Sequence, residues 1–436
     1  MHRLLCCAAL LLVPVALAGQ GLHGVERRIV TAVDLGAPAA ISLLERTVNQ
    51  NSGTMNLPGV RAVGRLLEPE FTRLGFTVRW VDGAAWGRAG HLIAERNGDG
   101  RGPKVLLIGH LDTVFEPDSP FQRFERLNDS TARGPGTTDM KGGNAIMLLA
   151  LGALQEVGGL DRLQVRVVIT GDEENPGDLL DLARKDLREA ADWADAAIGF
   201  EDGPSDPKLA VIGRRGSSGW VLRTAGKPYH SSQIFRPEVG SGAIYEAARI
   251  LAAFRDSLAG DPNVTFNPGI IVGGTAVTFD QDQDRGTAFG KTNVVAESTT
   301  VSGDLRTLTL EQLDRTRATM RRLVARHYEG TSAEIVFDDG YPPLAPTEGN
   351  RRLLALFDQA SRDIGWGPVS TADPARAGAA DISFTSGRVE MALDGVGLMG
   401  SGGHTVNETA DLRTLPLNAK RVALLLHRLA RARPDA

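Results

Sequence analysis

Cysteine is nearly absent from this sequence: 436 residues contain two, Cys6 and Cys7, and both fall in a leading apolar segment. Beyond that segment there is no disulfide partner, no thiolate ligand and no thiol nucleophile, so any metal site must be built from His, Asp and Glu. An excess of positive charge is missing too. Lys and Arg total 48 against 53 Asp and Glu, a formal net charge of −5. With no basic field, no nucleic-acid partner is expected. Long apolar runs are missing except for Leu4–Leu17, which follows His2 and Arg3 and ends at Ala16-Leu17-Ala18 before Gly19. That pattern is expected of a secretory signal peptide over residues 1–18, cut after Ala18, and the run is too short to span a bilayer comfortably. Cys6 and Cys7 lie too near the start for a lipoprotein. The expectation is therefore an exported protein, periplasmic or secreted, with no membrane association after cleavage. No repeat of fixed period occurs, and the 51 glycines indicate turns and close backbone approaches rather than low complexity.

The length favours two domains. Apolar spacing predicts helices over 34–48 and 57–76, with Pro69 a kink, then strands at Phe76–Val81, His91–Glu95 and Val105–Ile108. Met140–Val157 reads as a helix, Leu163–Thr170 as a buried strand, Leu179–Trp193 as a helix and Ala196–Phe200 as a strand. This alternation predicts an α/β fold with a mostly parallel sheet and helices on both faces. After Gly213 the rhythm changes. Strand Ser217–Thr224, helix Val239–Leu258, strands Pro268–Phe279 and Val294–Arg306, helix Leu310–His327 and strand Ala333–Phe337 give β-α-β-β-α-β. That order can close into a ferredoxin-like domain by itself. The first rhythm then resumes with helix Asn350–Ile364, strand Met391–Leu398 and helix Leu415–Ala432. The expected division is 19–213 with 343–436 as a catalytic domain, and 214–342 as an insertion at a surface loop.

Ligands in open α/β sheets bind beyond the carboxyl ends of strands, and charged groups gather at those ends here. His110-Leu111-Asp112-Thr113 follows a buried strand. Asp112 suits an orienting partner for the far ring nitrogen of His110; a loop His beside a capping Asp is the bland alternative. Asp139, in Gly136-Thr137-Thr138-Asp139-Met140-Lys141-Gly142-Gly143, enters a helix, where an N-cap is the common role. Taken alone the N-cap reading prevails; as a bridging carboxylate Asp139 could contact two metals, one through each oxygen. Asp172-Glu173-Glu174 puts three acids in a row at a strand end, costly by repulsion unless cations balance them or the turn is solvated. Glu201 follows the strand from Ala196, and His404 follows the glycine-rich loop Gly400-Ser401-Gly402-Gly403.

This ordered set resembles the M20 family of metallopeptidases, which includes glutamate carboxypeptidases, succinyl-diaminopimelate desuccinylases and aminoacylases. The resemblance spans nearly the whole chain after the leader. It rests on His-x-Asp-Thr-Val, Gly-Thr-Thr-Asp-Met-Lys-Gly-Gly and Asp-Glu-Glu together. It implies a zinc-exopeptidase-like catalytic domain, an inserted lid or dimerisation domain, a homodimer, and a cis bond at Asp139–Met140. It also implies two zinc ions per chain, with Co2+ or Mn2+ as possible substitutes. Asp139 would bridge them, His110 and Glu201 completing one and Glu174 and His404 the other, with Glu173 as general base. Gly226-Lys227-Pro228-Tyr229-His230 resembles the element whose His reaches the substrate carbonyl from a partner subunit; a loop His is the alternative. Asp304-Leu305-Arg306 resembles the element that grips a substrate carboxylate, where a surface charge is the alternative. Asn293 would be a further polar contact or a turn residue. Two features depart from the family pattern: Ser231-Ser232 stands where Gly is common, and Gly378-Ala379-Ala380-Asp381 matches a Gly-x-x-Asp element loosely.

The implied activity is cleavage of an amide or peptide bond next to a free carboxylate, in a small peptide or N-acyl amino acid, most like a glutamate carboxypeptidase. An N-acyl or N-succinyl amino-acid deacylase is the first alternative. A non-catalytic binding protein on the same scaffold is the second, and intact His110, Asp139, Glu173, Glu174, Glu201 and His404 argue against it. A nucleotide-binding reading fails because the glycine-rich loop precedes His404-Thr405 rather than a helix.

Overall fold

The structure, a computed structural model, describes residues 21–281 and 283–431. The leader expected at 1–18 lies outside them. A six-stranded sheet runs in the order Thr77–Asp82, Gly90–Arg96, Gln164–Thr170, Lys104–His110, Ala196–Gly199, Met391–Leu393. The last four strands are parallel to one another, and the first two form an antiparallel margin. The sheet is thus mixed α/β, with the parallel part where the sequence placed it. Alternation along the central strand explains why it is buried from end to end. Val105 and Leu107 join the core formed with helices Gly24–Val48, Gly142–Gln155 and Thr414–Leu429. Leu106 and Ile108 point the other way, to Leu187, Ala190, Ala191 and Phe384.

A second sheet, of order Thr265–Gly274, Ser298–Arg306, Ser217–Ala225, Ser332–Tyr341, is antiparallel throughout. Helices Ala243–Leu258 and Leu310–Val324 cover it, and Trp220, Leu222, Ile250, Phe254, Val301 and Met320 form a core of its own. The two crossings between the sheets run side by side: Arg214 pairs with Leu344 across an antiparallel bridge, and Ser217 pairs with Tyr341.

A third, small sheet positions the candidate site. Gly400–Ser401 and Thr409–Asp411 form a hairpin, and its second strand pairs with Thr131–Arg133. The tip of that hairpin is therefore delivered next to the turn that follows Arg133.

Several elements differ from their expected form for local reasons. The helix expected over Leu179–Trp193 is two, Leu180–Ala183 and Lys185–Trp193, broken where the Arg184 side chain turns inward. The strand expected over Pro268–Phe279 stops at Gly274, and Ala276–Asp280 instead pairs with Arg285–Phe289 in a hairpin that the sequence reading missed. The strand from Met391 ends at Leu393, where Asp394 turns inward and Gly395 takes φ 70°. The helix expected from Val239 begins at Ala243, because Gly240 and Gly242 hold φ of 80° and 78°. Pro69 does not end the helix Leu57–Arg73.

Candidate metal centre

His110 is the last residue of the central strand and is buried. Its Nε2 lies 3.0 Å from Asp139 Oδ1 and 3.6 Å from Glu201 Oε1. Asp139 is the residue at which the Thr137–Lys141 turn leaves helical geometry, and its bond to Met140 is cis, as the resemblance implied. Close packing on the glycines sets this turn. A Cβ on Gly143 would stand 1.9 Å from the Phe200 carbonyl, so only glycine lets the following helix approach the Glu201 loop. The second oxygen of Asp139, Oδ2, lies 2.9 Å from His404 Nε2. His404 Nε2 is also 3.2 Å from Glu174 Oε2. His404 sits at the hairpin tip with φ 60°, a left-handed conformation uncommon for His.

Two groups of potential ligands result, His110 with Asp139 and Glu201, and Asp139 with Glu174 and His404. In each, one donor atom of every residue lies within 4.8 Å of the others, and Asp139 belongs to both. Glu173 stands beside them on the same turn. Burial pushes its carboxyl well above the ordinary carboxylate range, with Asp381, Glu174 and Asp139 adding to the push. Burial also raises Glu174 and Glu201. Asp139 is lowered, because both imidazoles outweigh its burial. Hydrogen bonds to Asp139 and Glu174 raise His404 to about 11. Burial opposes the charged form of His110, yet Glu201, Asp112 and Asp139 carry it well above its ordinary value.

The residues fit divalent cations. Three carboxylates, Asp139, Glu174 and Glu201, converge with the imidazoles of His110 and His404, a donor set that suits zinc and admits cobalt or manganese. Among the described residues, Glu174 Oε1 is buried with no hydrogen-bond partner, which a cation would supply.

The supports of this cluster were only partly foreseen. Asp112 does not hold the far ring nitrogen of His110 mainly through its carboxylate. The shorter contact to Nδ1 is the Asp112 carbonyl oxygen at 3.1 Å, with Oδ1 at 3.4 Å. The carboxylate is occupied elsewhere. It accepts from the Glu173 amide at 3.0 Å, the Glu174 amide at 3.1 Å and Thr54 Oγ1 at 2.6 Å. Asp112 thus also fixes the turn bearing both glutamates. Glu408, in the loop beyond His404, is fully buried. Its carboxylate accepts from the amides of Gly136 at 2.9 Å and Thr138 at 2.8 Å, and from that of Asp139 at 3.3 Å. Asp394 Oδ1 accepts from the Glu201 amide at 3.3 Å, and its Oδ2 from Arg214 Nε at 2.7 Å. Asp172, first of the three acids, lies behind the cluster. It accepts from Arg184 Nη1 and Trp86 Nε1, each at 2.6 Å.

The profile of Peptidase family M20/M25/M40 matches residues 106–428. The chain belongs to that family. It is therefore an M20 metallopeptidase, a hydrolase, and family members are metal-dependent. It is 26% identical over 396 residues to Carboxypeptidase G2 of Pseudomonas sp. (strain RS-16), covering 89% of each chain. It is 27% identical over 322 residues to a succinyl-diaminopimelate desuccinylase of Leptothrix cholodnii, covering 71% of this chain and 79% of the relative. Among solved structures, aminopeptidase PepT from Bacillus cereus matches with a TM-score of 0.70 at 22% identity, covering 90% of this chain and 99% of that one. An M20 metallo-carboxypeptidase from Sulfolobus solfataricus matches at 0.63 and 16% identity, covering 90% and 99%. At those identities the structures speak for the fold.

His230, Asn293 and Arg306, expected to contact substrate, make their bonds within the second sheet's part of the chain. His230 is exposed, and its Nδ1 is 2.8 Å from Ser232 Oγ. Asn293 is its neighbour, since its carbonyl accepts from the Ser231 amide at 2.9 Å. Arg306 ends the strand Ser298–Arg306, with Nε 3.0 Å from Asp304 Oδ2. Among the described residues, none of these three side chains bonds to the cluster.

Proposed function

We propose that this M20 hydrolase is a two-zinc exopeptidase of the carboxypeptidase type, cleaving an amide bond next to a free carboxylate. The observation that carries this reading is the pair of ligand groups sharing Asp139, with Glu173 on the turn beside them. When bound, the ions supply Lewis-acid polarisation of a carbonyl and acidification of water. His110, Asp139 and Glu201 would hold one, and Asp139, Glu174 and His404 the other. Glu173 takes a proton from the attacking water and returns it to the leaving amine. Burial raises its carboxyl above the ordinary carboxylate range, which makes it a stronger base than an exposed glutamate. Residues 214–342 form a ferredoxin-like lid and dimerisation domain, and 19–213 with 343–436 the catalytic domain. From the lid, His230 stabilises the oxyanion, Arg306 grips the substrate carboxylate and Asn293 adds a polar contact. The Nε of Arg306 is already held by Asp304, so its two terminal nitrogens present a fork to the substrate.

The test is to strip the protein, reload it with zinc and screen dipeptides and N-acyl amino acids. The expected content is about two ions per chain, and Glu173→Gln keeps it while losing roughly a hundredfold or more in turnover. Full activity in that variant would overturn the base assignment. Deacylation is the second reading, favoured by the likeness to the desuccinylase, and the same panel separates the two.

The homodimer uses the edge strand Thr265–Gly274, beside which Ile271, Ile244 and Tyr245 are exposed. Light scattering reads it directly, and a monomer mass would exclude it. Export is checked by sequencing the mature N-terminus, expected at Gly19.

A further inference from the structure

The candidate base is tied to the point where the chain returns from the second sheet. Tyr341 is the last residue of the strand Ser332–Tyr341, and its hydroxyl lies 3.0 Å from the Glu173 carbonyl oxygen. Arg184 fixes the direction of that bond. Its Nη2 donates to the Tyr341 hydroxyl oxygen at 2.7 Å, which leaves the hydroxyl proton free to go to Glu173. Arg184 cannot turn away, because it is fully buried. Its Nε donates to Asp381 and its Nη1 to Asp172, each at 2.6 Å, and Nη2 also donates to the Asp172 carbonyl at 3.0 Å. The ring of Tyr341 packs edge-on against Phe384, 5.0 Å between centroids.

The turn at Glu173 is thus held from two sides. Asp112, in the first sheet's lobe, takes the amides of Glu173 and Glu174, and Tyr341, at the end of the second sheet, takes the carbonyl. We infer that Tyr341 is a positioning residue for Glu173, which transmits the orientation of the second sheet to the turn carrying the base. What Glu173 does in turnover is taken from the hydrolase reading above; the mechanical link is not.

The test is Tyr341→Phe, which removes the hydroxyl and keeps the ring against Phe384. In the metal-free protein, amide hydrogen exchange at 171–175 is expected to rise roughly tenfold while exchange in the strand 104–109 stays at the wild-type rate. In the zinc-loaded enzyme, assayed with whichever dipeptide the wild type turns over fastest, kcat falls about tenfold and KM stays within about twofold. Wild-type exchange at 171–175 overturns the inference, as does faster exchange spread evenly over the protein, which marks general destabilisation. If no dipeptide or acyl amino acid is cleaved by the wild type, the hydrolase reading fails, while the exchange result still decides the link.

Discussion

Asp139 offers one oxygen to His110 and the other to His404, and it is flanked by three more carboxylates. In the metal-free protein the imidazoles are the cations that balance these acids. The sign of the resulting pH dependence follows. His404 is raised from 6.5 unfolded to about 11 folded, so its contribution to stability is complete below pH 6.5 and is lost as pH rises toward 11. His110 is raised in the same direction. The metal-free protein should therefore lose stability from pH 6.5 upward in urea titrations. The loaded protein should not, because ions require neutral imidazoles and their uptake releases protons. Calorimetry in buffers of different ionisation enthalpy reads that release directly, and absence of proton release near pH 7 would contradict the assignment. At this scale His110, Asp139, Glu174, Glu201 and His404 stand out in the sequence as charged groups near strand ends or a helix entry, their ligand roles being implied by the family resemblance, and the structure brings them into two groups. Glu408 does not stand out, since its partners are backbone amides of residues 136, 138 and 139, remote in sequence and silent in composition.

The same distinction holds for the elements. Lys104–His110 and Gln164–Thr170 are mostly apolar, β-branched-rich segments, and the expected strands Val105–Ile108 and Leu163–Thr170 fall within two residues of them at each end. Leu179–Trp193 looks like one amphipathic helix, and nothing local in it shows that Arg184 leaves the helical surface for the interior. The pull is tertiary, exerted by Asp172 and Asp381. Replacing Arg184 with Leu strands two buried carboxylates, so it should destabilise the fold by about 3–5 kcal/mol. Adding Asp172→Asn and Asp381→Asn should recover part of that loss. Urea unfolding of the three chains checks both statements, and an Arg184→Leu midpoint equal to wild type would exclude them. The hairpin Ala276–Asp280 with Arg285–Phe289 escaped for a different reason: its residues continue the apolar pattern of the preceding strand, and only pairing reveals the break at Gly274.

For the whole molecule, the change of rhythm after Gly213 is the reason to expect an inserted unit; the segment 217–341 carries a four-stranded antiparallel sheet and a hydrophobic cluster around Trp220 and Phe254. Its two ends are ladder partners, Ser217 opposite Tyr341, so they are already spaced like the stems of a hairpin. A chain in which 218–340 is replaced by a short Gly/Asn turn should fold, keep the bond from Tyr341 to Glu173 and bind metal as before. It should lose turnover, having lost His230, Asn293 and Arg306. Circular dichroism, metal content and the substrate panel test these outcomes together; a chain that folds, binds metal and still hydrolyses substrate would remove the second sheet from the mechanism. The hairpin that delivers His404 has one more consequence, in the order of assembly. His110, Asp139 and Glu201 leave the ribosome within one stretch of chain, whereas His404 emerges some two hundred residues after Glu201 and must dock on the strand Thr131–Arg133. A fragment that stops short of His404 lacks one member of the group Asp139, Glu174 and His404, so a second ion, if the proposed pair is bound, would report that folding has run to completion.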